Sequence, residues 1–214
     1  KVLTAIEGDT LASALIANGV HLTGRSFKYH RPRGMLSAGP EEPNALMDVG
    51  RDAVRRTPNI RATVQEVYDG MLARSQNRWP SLAFDVGGLN NLASPFFAAG
   101  FYYKTFMWPK AAWKKVYEPI IRAAAGLGVA PREPDPDHYA NHFAYCDVLV
   151  IGGGATGLSA ALAAAHAGAE VILCDEQPET GGAFHHETDA TIDGRSGWDW
   201  AQAVTAELRA MDNV

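Results

Sequence analysis

The stretch YCDVLVIGGGATGLSAALAAAHAGAEVILCDE, residues 145 to 176, leaves a chain few ways to fold. Four apolar residues, Val148 to Ile151, run into three glycines; an alanine-rich segment follows to Gly168, and a second apolar run, Val171 to Cys174, ends at Asp175 and Glu176. Two short apolar runs around a helical segment predict parallel strands joined by a helix, within about the 30 residues that a βαβ unit needs. The glycines fall as Gly152-x-Gly154-x-x-Gly157, with an acid 23 residues beyond the first. At that spacing Gly152 permits a tight turn, Gly154 lets the backbone approach a pyrophosphate, and Gly157 lets helix and strand pack closely. The phosphates would then rest on unpaired N–H groups at the positive end of the helix. Asp175, at the end of the second strand, would accept hydrogen bonds from ribose hydroxyls, and its charge would repel a 2′-phosphate. NAD or FAD is therefore favoured over NADP. The candidate binding set is Gly152, Gly154, Thr156, Gly157, Asp175, Glu176 and Gly182, the last from a glycine pair shortly after the acid.

Val148 to Ala169 contains no Asp, Glu, Lys or Arg, which is long enough to raise the question of a membrane span. Three glycines interrupt it after four residues, and Thr156, Ser159 and His166 follow, so no membrane segment is expected. Nineteen Lys plus Arg against 24 Asp plus Glu give a net charge of −5, a balance that attracts neither nucleic acid nor anionic lipid globally. The chain opens on Lys1 without the charged and apolar regions of a secretory signal, and its start reads as a truncation. The two cysteines, Cys146 and Cys174, exclude a disulfide framework and are too few for a four-thiolate metal site. On adjacent parallel strands they would lie about 13 Å apart, too far to bridge. A reducing, cytoplasmic location is expected.

Three blocks are predicted, at 1–50, 51–145 and 146–214. The first is read as a small α+β unit: a strand from Val2 to Ile6, a Gly8-Asp9 turn, and a helix from Leu11 to Asn18 capped by Asp9 or Thr10. Between Asp9 and Glu41 there is no acid, yet RSFKYHRPRG supplies Arg25, Lys28, His30, Arg31 and Arg33, a positive segment suited to an anion. In the second block the spacing of Val64, Val67, Tyr68, Met71 and Leu72 predicts a helix over Thr63 to Arg74. Phe101, Tyr102, Tyr103, Phe106, Trp108, Trp113 and Tyr117 crowd together beyond it, as core or interface, and APREPDPDHY reads as a linker. His185 and His186 are adjacent rather than spaced for a metal. No nucleophile, general base or metal constellation is evident, so no catalytic residue is named.

In GDTLASALIANGV, GRSFKYHRPRG, EPNALMDVG, SQNRWPSL, GFYYKTFMWP, YEPIIRAAAGLG, CDVLVIGGGATGLSAA and DEQPETGG the sequence resembles the α subunits of heterotetrameric sarcosine oxidase, through nearly all 214 residues. The glycine fingerprint is shared by many flavoproteins, whereas RSFKYHRPRG and GFYYKTFMWP in that order are far more specific. The resemblance implies an α+β, β-grasp (ferredoxin-like) domain followed by an α/β, Rossmann-like FAD/NAD(P)-binding domain, truncated here. It implies NAD on this chain, FAD and FMN in the assembled enzyme, and β, γ and δ subunits as partners. The implied reaction is oxidative demethylation of sarcosine to glycine, with oxygen reduced to hydrogen peroxide and the one-carbon unit passed to tetrahydrofolate. The residues that oxidise substrate would lie on another subunit. The alternative is a noncatalytic, cofactor-bearing subunit of a related amine or opine dehydrogenase. Relatives that bind a [2Fe-2S] cluster place cysteines after the PRG turn, where this chain reads MLSAGPEEPNALM. No iron–sulfur cluster is therefore expected.

Overall fold

The computed structural model describes residues 1–96, 99–100 and 106–214, which form two compact units, Lys1–Asp137 and His138–Val214. Phe101, Tyr102 and Tyr103 of the aromatic segment lie outside the described residues.

The first unit opens with an extended stretch and then helix α1, Leu11–Ala17. Thr10 is its N-cap, its hydroxyl accepting from the Ser13 N–H at 3.2 Å, while Asp9 bonds the Ser13 hydroxyl and the Ile6 N–H. The buried residues Leu11, Ala12, Ala14 and Leu15 recur at helical spacing and form one face. A two-stranded hairpin, β1 (Gly24–Arg25) and β2 (Pro32–Arg33), carries the basic segment. Three longer strands, β3 (Leu46–Gly50), β4 (Arg56–Arg61) and β5 (Leu72–Ser75), make an antiparallel sheet in the order β4-β3-β5, so this sheet joins residues on both sides of position 50. Leu11, Ala12 and Leu15 pack with Ala45, Met47, Val49 and Ala62 as its core. Beyond the sheet, a 3₁₀ helix Val86–Asn91 and a π-helical turn Trp113–Tyr117 precede α2, Glu118–Ala124.

Two expectations for this unit fail. Val2 to Ile6 is not a strand: no neighbour offers it a ladder among the described residues, and Val2 and Ile6 are exposed. Thr63 to Arg74 is not a helix but a turn leading into β5. Its backbone groups are taken by distant partners, since the Gln65 carbonyl accepts from Leu11 N–H at 2.7 Å and the Val67 N–H donates to Asp9 at 2.9 Å. Tertiary pairing overrides the helical spacing of the apolar residues.

The second unit follows its prediction closely. Strand β6 (Val148–Ile151), helix α3 (Ala155–His166) and strand β7 (Val171–Cys174) form a βαβ unit with parallel pairing, Val148 opposite Val171 and Ile151 opposite Cys174. A short hairpin, β8 (Thr191–Ile192) and β9 (Arg195–Ser196), leads into α4, Gly197–Arg209. Leu158, Ala161 and Ala165 of α3 pack with Val171 and with Ala201, Val204 and Leu208 of α4. The alternate residues Leu149 and Ile151 of β6 are exposed. Both cysteines are free. Among the described residues no helix is long and apolar enough to cross a membrane.

Candidate functional site

The glycine loop lies where β6 ends and α3 begins, and the reason for a glycine differs from one position to the next. Gly152 has φ of +104°, a backbone that side chains rarely adopt. At Gly157 a Cβ would fall 1.8 Å from the Gly152 carbonyl oxygen, so the first turn of α3 rests directly on the end of the strand. Gly182 has φ of +55° and lies over the loop; its Cβ would come within 2.9 Å of the Gly154 Cα. Gly181 ties the same two segments together through its N–H, which donates to the Gly153 carbonyl at 2.8 Å. Gly154 is the exception. Its φ of −76° and ψ of −174° suit any residue, and a Cβ there would meet nothing closer than 3.8 Å.

Helix α3 also begins without a side-chain cap, because its N-cap is Gly154, whereas Thr10 caps α1 and Ser196 caps α4. The first-turn N–H groups of Ala155, Thr156 and Gly157 have no intrahelical partner by the geometry of a helix start, and they carry the positive end of the dipole. Thr156 is exposed on this turn. Asp175 stands across from the loop at the end of β7 and accepts from the Gly153 N–H through Oδ2 and from the Gln177 N–H, at 2.7 Å, through Oδ1. A carboxylate has about four lone-pair positions, so two backbone donors leave Asp175 with acceptor capacity for hydroxyls. Glu176 is exposed beside it. The structure thus brings all seven candidate residues to the β6–α3 and β7 ends. His185 sets its ring against Trp198, with centroids 4.8 Å apart and the planes tilted by 58°.

Sequence reasoning missed two buried carboxylates in the first unit. Glu42 is buried and accepts four backbone N–H bonds, from Leu36 and Ser37 on Oε2 and from Asn44 and Ala45 on Oε1, at 2.6 to 3.2 Å. Burial alone would raise its pKa; the four donors outweigh that and hold it below the ordinary glutamate value. Asp85 has a fully buried side chain and accepts from the Trp79 and Gly87 N–H groups, with His30 Nδ1 at 2.6 Å. Here too burial opposes, and the hydrogen bonds from Trp79, His30 and Gly87 hold the carboxyl below its usual range. The signal available in sequence was only an acid in a loop, paired with Glu41 in one case and single in the other.

Residues 1–78 match the family model described as a 2Fe-2S iron–sulfur cluster binding domain, and residues 147–211 match that of an FAD dependent oxidoreductase. Sarcosine oxidase subunit alpha of Rhizobium meliloti (strain 1021) is 63% identical over 214 residues, all of this chain and 22% of that protein. This chain resembles sarcosine oxidase α subunits along its whole length. The corresponding subunit of Corynebacterium sp. (strain U-96) is 34% identical over 99% of this chain and 17% of its own length. The chain therefore spans about a fifth of these curated relatives. Among solved structures, L-proline dehydrogenase from P. horikoshii aligns with a TM-score of 0.47 at 20% identity, over 96% of this chain and 29% of that one.

The expected fold class holds: a ferredoxin-type α+β domain precedes sequence of an FAD-dependent oxidoreductase domain. The cofactor expectation needs correction. The absence of an iron–sulfur cluster was inferred from missing cysteines, and the match over residues 1–78 to a 2Fe-2S cluster binding domain overturns it. Missing thiolates describe a donor set, not the family to which a domain belongs. The donor set itself does not fit a four-thiolate cluster, because residues 1–78 contain no cysteine and two histidines, His21 and His30, the latter held by Asp85.

Proposed function

We propose that the loop Gly152–Gly157 and Asp175 hold the ADP portion of a dinucleotide, NAD, in the α subunit of a sarcosine-oxidising flavoprotein. The observation that carries this reading is Gly154: neither its backbone angles nor its neighbours require glycine, and it sits at the uncapped start of α3. A pyrophosphate resting on the orphan N–H groups would need the space that a side chain at this position would fill, which gives the glycine a role the chain itself does not supply. The match of residues 147–211 to FAD dependent oxidoreductases supports a dinucleotide at this position.

Ala155, Thr156 and Gly157 would donate to phosphate oxygens, while Asp175 would accept from the adenosine ribose, with Glu176 adding to the negative rim. Bound at this site, a nicotinamide dinucleotide would supply hydride-transfer capacity to the assembly. The relatives' name, sarcosine oxidase subunit alpha, supports sarcosine as substrate. The finer reading rests on the family resemblance of the sequence: sarcosine is demethylated to glycine, oxygen becomes hydrogen peroxide, and tetrahydrofolate takes the one-carbon unit, in a cytoplasmic heterotetramer with FAD and FMN on or between other subunits. In that reading this chain binds and positions a cofactor, and the amine-oxidising residues belong to a partner.

The test is nucleotide content. The full-length protein, purified in its complex and denatured, should release NAD at about one per chain by mass spectrometry. Gly154→Ala should fold and melt like the wild type yet release none, because the added methyl is tolerated by the chain and not by a pyrophosphate. Recovery of FAD alone would overturn NAD while sparing the site; full retention in Gly154→Ala would overturn the site. For the reaction, absence of sarcosine-dependent peroxide from the intact complex would reject the substrate.

A further inference from the structure

The positive hairpin divides into two sets of side chains with different employment. Arg25 is turned inward: its Nε donates to the Leu82 carbonyl at 2.9 Å and its Nη1 to the His30 carbonyl at 3.1 Å. His30 is locked on the buried Asp85, and the segment that carries Asp85 returns to grip the hairpin backbone. Asn77 donates to the Arg25 carbonyl at 2.8 Å and Asn91 to the Tyr29 carbonyl at 2.9 Å. Residues 24–33 and 77–91 are therefore one pinned knot, with the tip held in place rather than free to wander.

That knot holds Arg31 and Arg33 exposed. Arg31 lies over the Tyr29 ring at 5.0 Å, with its Nε 3.4 Å from Asn91 Oδ1, both neutral partners. Among the described residues neither arginine pairs with a carboxylate. The sequence has no acid from residue 10 to 40 or from 86 to 117; of the acids around these stretches, Asp9 and Glu41 accept from nearby N–H groups, Glu118 pairs with Arg122, and Glu42 and Asp85 are buried on internal donors. The same knot exposes Trp79, Phe84, Leu89 and Leu92, of which Phe84 is 70% and Leu92 83% accessible. A rigid surface combining unpaired arginine forks with large apolar side chains has the composition of a protein interface rather than of a solvated loop.

We propose that the knot formed by residues 24–33 and 77–92 is a docking surface for a partner subunit that presents carboxylates to Arg31 and Arg33 around an apolar centre. The inference rests on the chain being a subunit of an assembly, as its named relatives are, and not on which dinucleotide fills the glycine loop. Charge complementarity selects the partner: among the described residues no carboxylate pairs with Arg31 or Arg33, and a partner's acids would supply the counter-charge. Arg25 and His30 do not take part, since the Arg25 guanidinium and His30 Nδ1 are already used inside the knot.

The test compares arginine modification by phenylglyoxal, read by peptide mass spectrometry, in the purified complex and in the full-length chain purified alone. Arg31 and Arg33 should be modified readily in the lone chain and about tenfold more slowly in the complex. The double variant Arg31→Glu/Arg33→Glu should melt like the wild type and keep its dinucleotide, while it retains the partner subunits about tenfold more weakly, the deficit narrowing as salt rises. Equal modification in both forms would overturn the proposal. So would protection that persists in the lone full-length chain, which would mean that later residues of the same chain cover the knot, or protection lost on stripping small-molecule cofactors from an intact complex. Dinucleotide content is read in the same samples, so failure of the glycine-loop reading remains distinguishable from failure of this one.

Discussion

The two units solve the same problem, how to fix irregular backbone beside regular elements, by different means. In Lys1–Asp137 the loops at 36–45 and 79–87 are organised by buried carboxylates: Glu42 gathers four backbone N–H groups, and Asp85 gathers two more together with His30. In His138–Val214 the glycine loop depends on missing side chains as well, with Gly157 against the Gly152 carbonyl and Gly182 against Gly154, beside the two backbone N–H groups that Asp175 accepts. A buried carboxylate fixes loops through charge-assisted hydrogen bonds and makes their order depend on pH. A glycine contact fixes them through steric exclusion, which is indifferent to pH and unforgiving of a single methyl.

The largest expected effect comes from Gly157→Ala. A Cβ 1.8 Å from a carbonyl oxygen forces the helix off the strand, and a loss of about 4 kcal/mol is expected, read as a lower melting temperature and early proteolysis within 138–214. A variant that melts like the wild type would break the steric half of the comparison.

Glu42→Gln comes next, at about 2 to 3 kcal/mol, since the amide keeps the shape but turns one acceptor into a donor that faces N–H groups. The pH dependence sharpens this. Because the folded state lowers the Glu42 pKa, its contribution is present above the unfolded value and is lost as pH falls through the folded one. The gap between wild type and Glu42→Gln should therefore close on acidification, whereas the Gly157→Ala deficit should not. Thermal melts from neutral pH to about pH 3 check both; parallel gaps would contradict the distinction.

The smallest effects belong to the helix caps, one in each unit. Thr10→Ala and Ser196→Ala each remove a hydroxyl that accepts a first-turn N–H, from Ser13 and from Asp199, and each should cost about 1 kcal/mol. Similar losses are expected because capping works alike in both units; a large asymmetry would show that one helix start has a second support.

Legibility from sequence divides along the same line. The β6–α3–β7 unit was readable to within a residue or two because every constraint acts over neighbours: apolar runs, a glycine turn, an alanine face, and an acid at the strand end. Helix α1 was readable for the same reason, with its buried stripe and a capping residue at Thr10. The segment 63–74 misled because its apolar spacing fits a helix while its backbone is committed to partners more than fifty residues away, at Asp9 and Leu11. Likewise the run from Arg25 to Arg33 read as one positive patch, and only the return of residues 77–91 divides it into inward and outward members.

The sequence by itself determined the glycine loop, its helix and its acid, since a backbone that must turn tightly and leave N–H groups open admits few residues at fixed spacing. It also determined which charges exist on the first unit. Tertiary structure alone decided which of those charges are spent internally, that Glu42 and Asp85 serve the fold, and that Gly154 among the loop glycines has no internal reason to be glycine. The physical cause is range: steric and capping demands are settled within a few residues, whereas the partner of a buried charge is chosen by whichever distant segment the folded chain brings beside it.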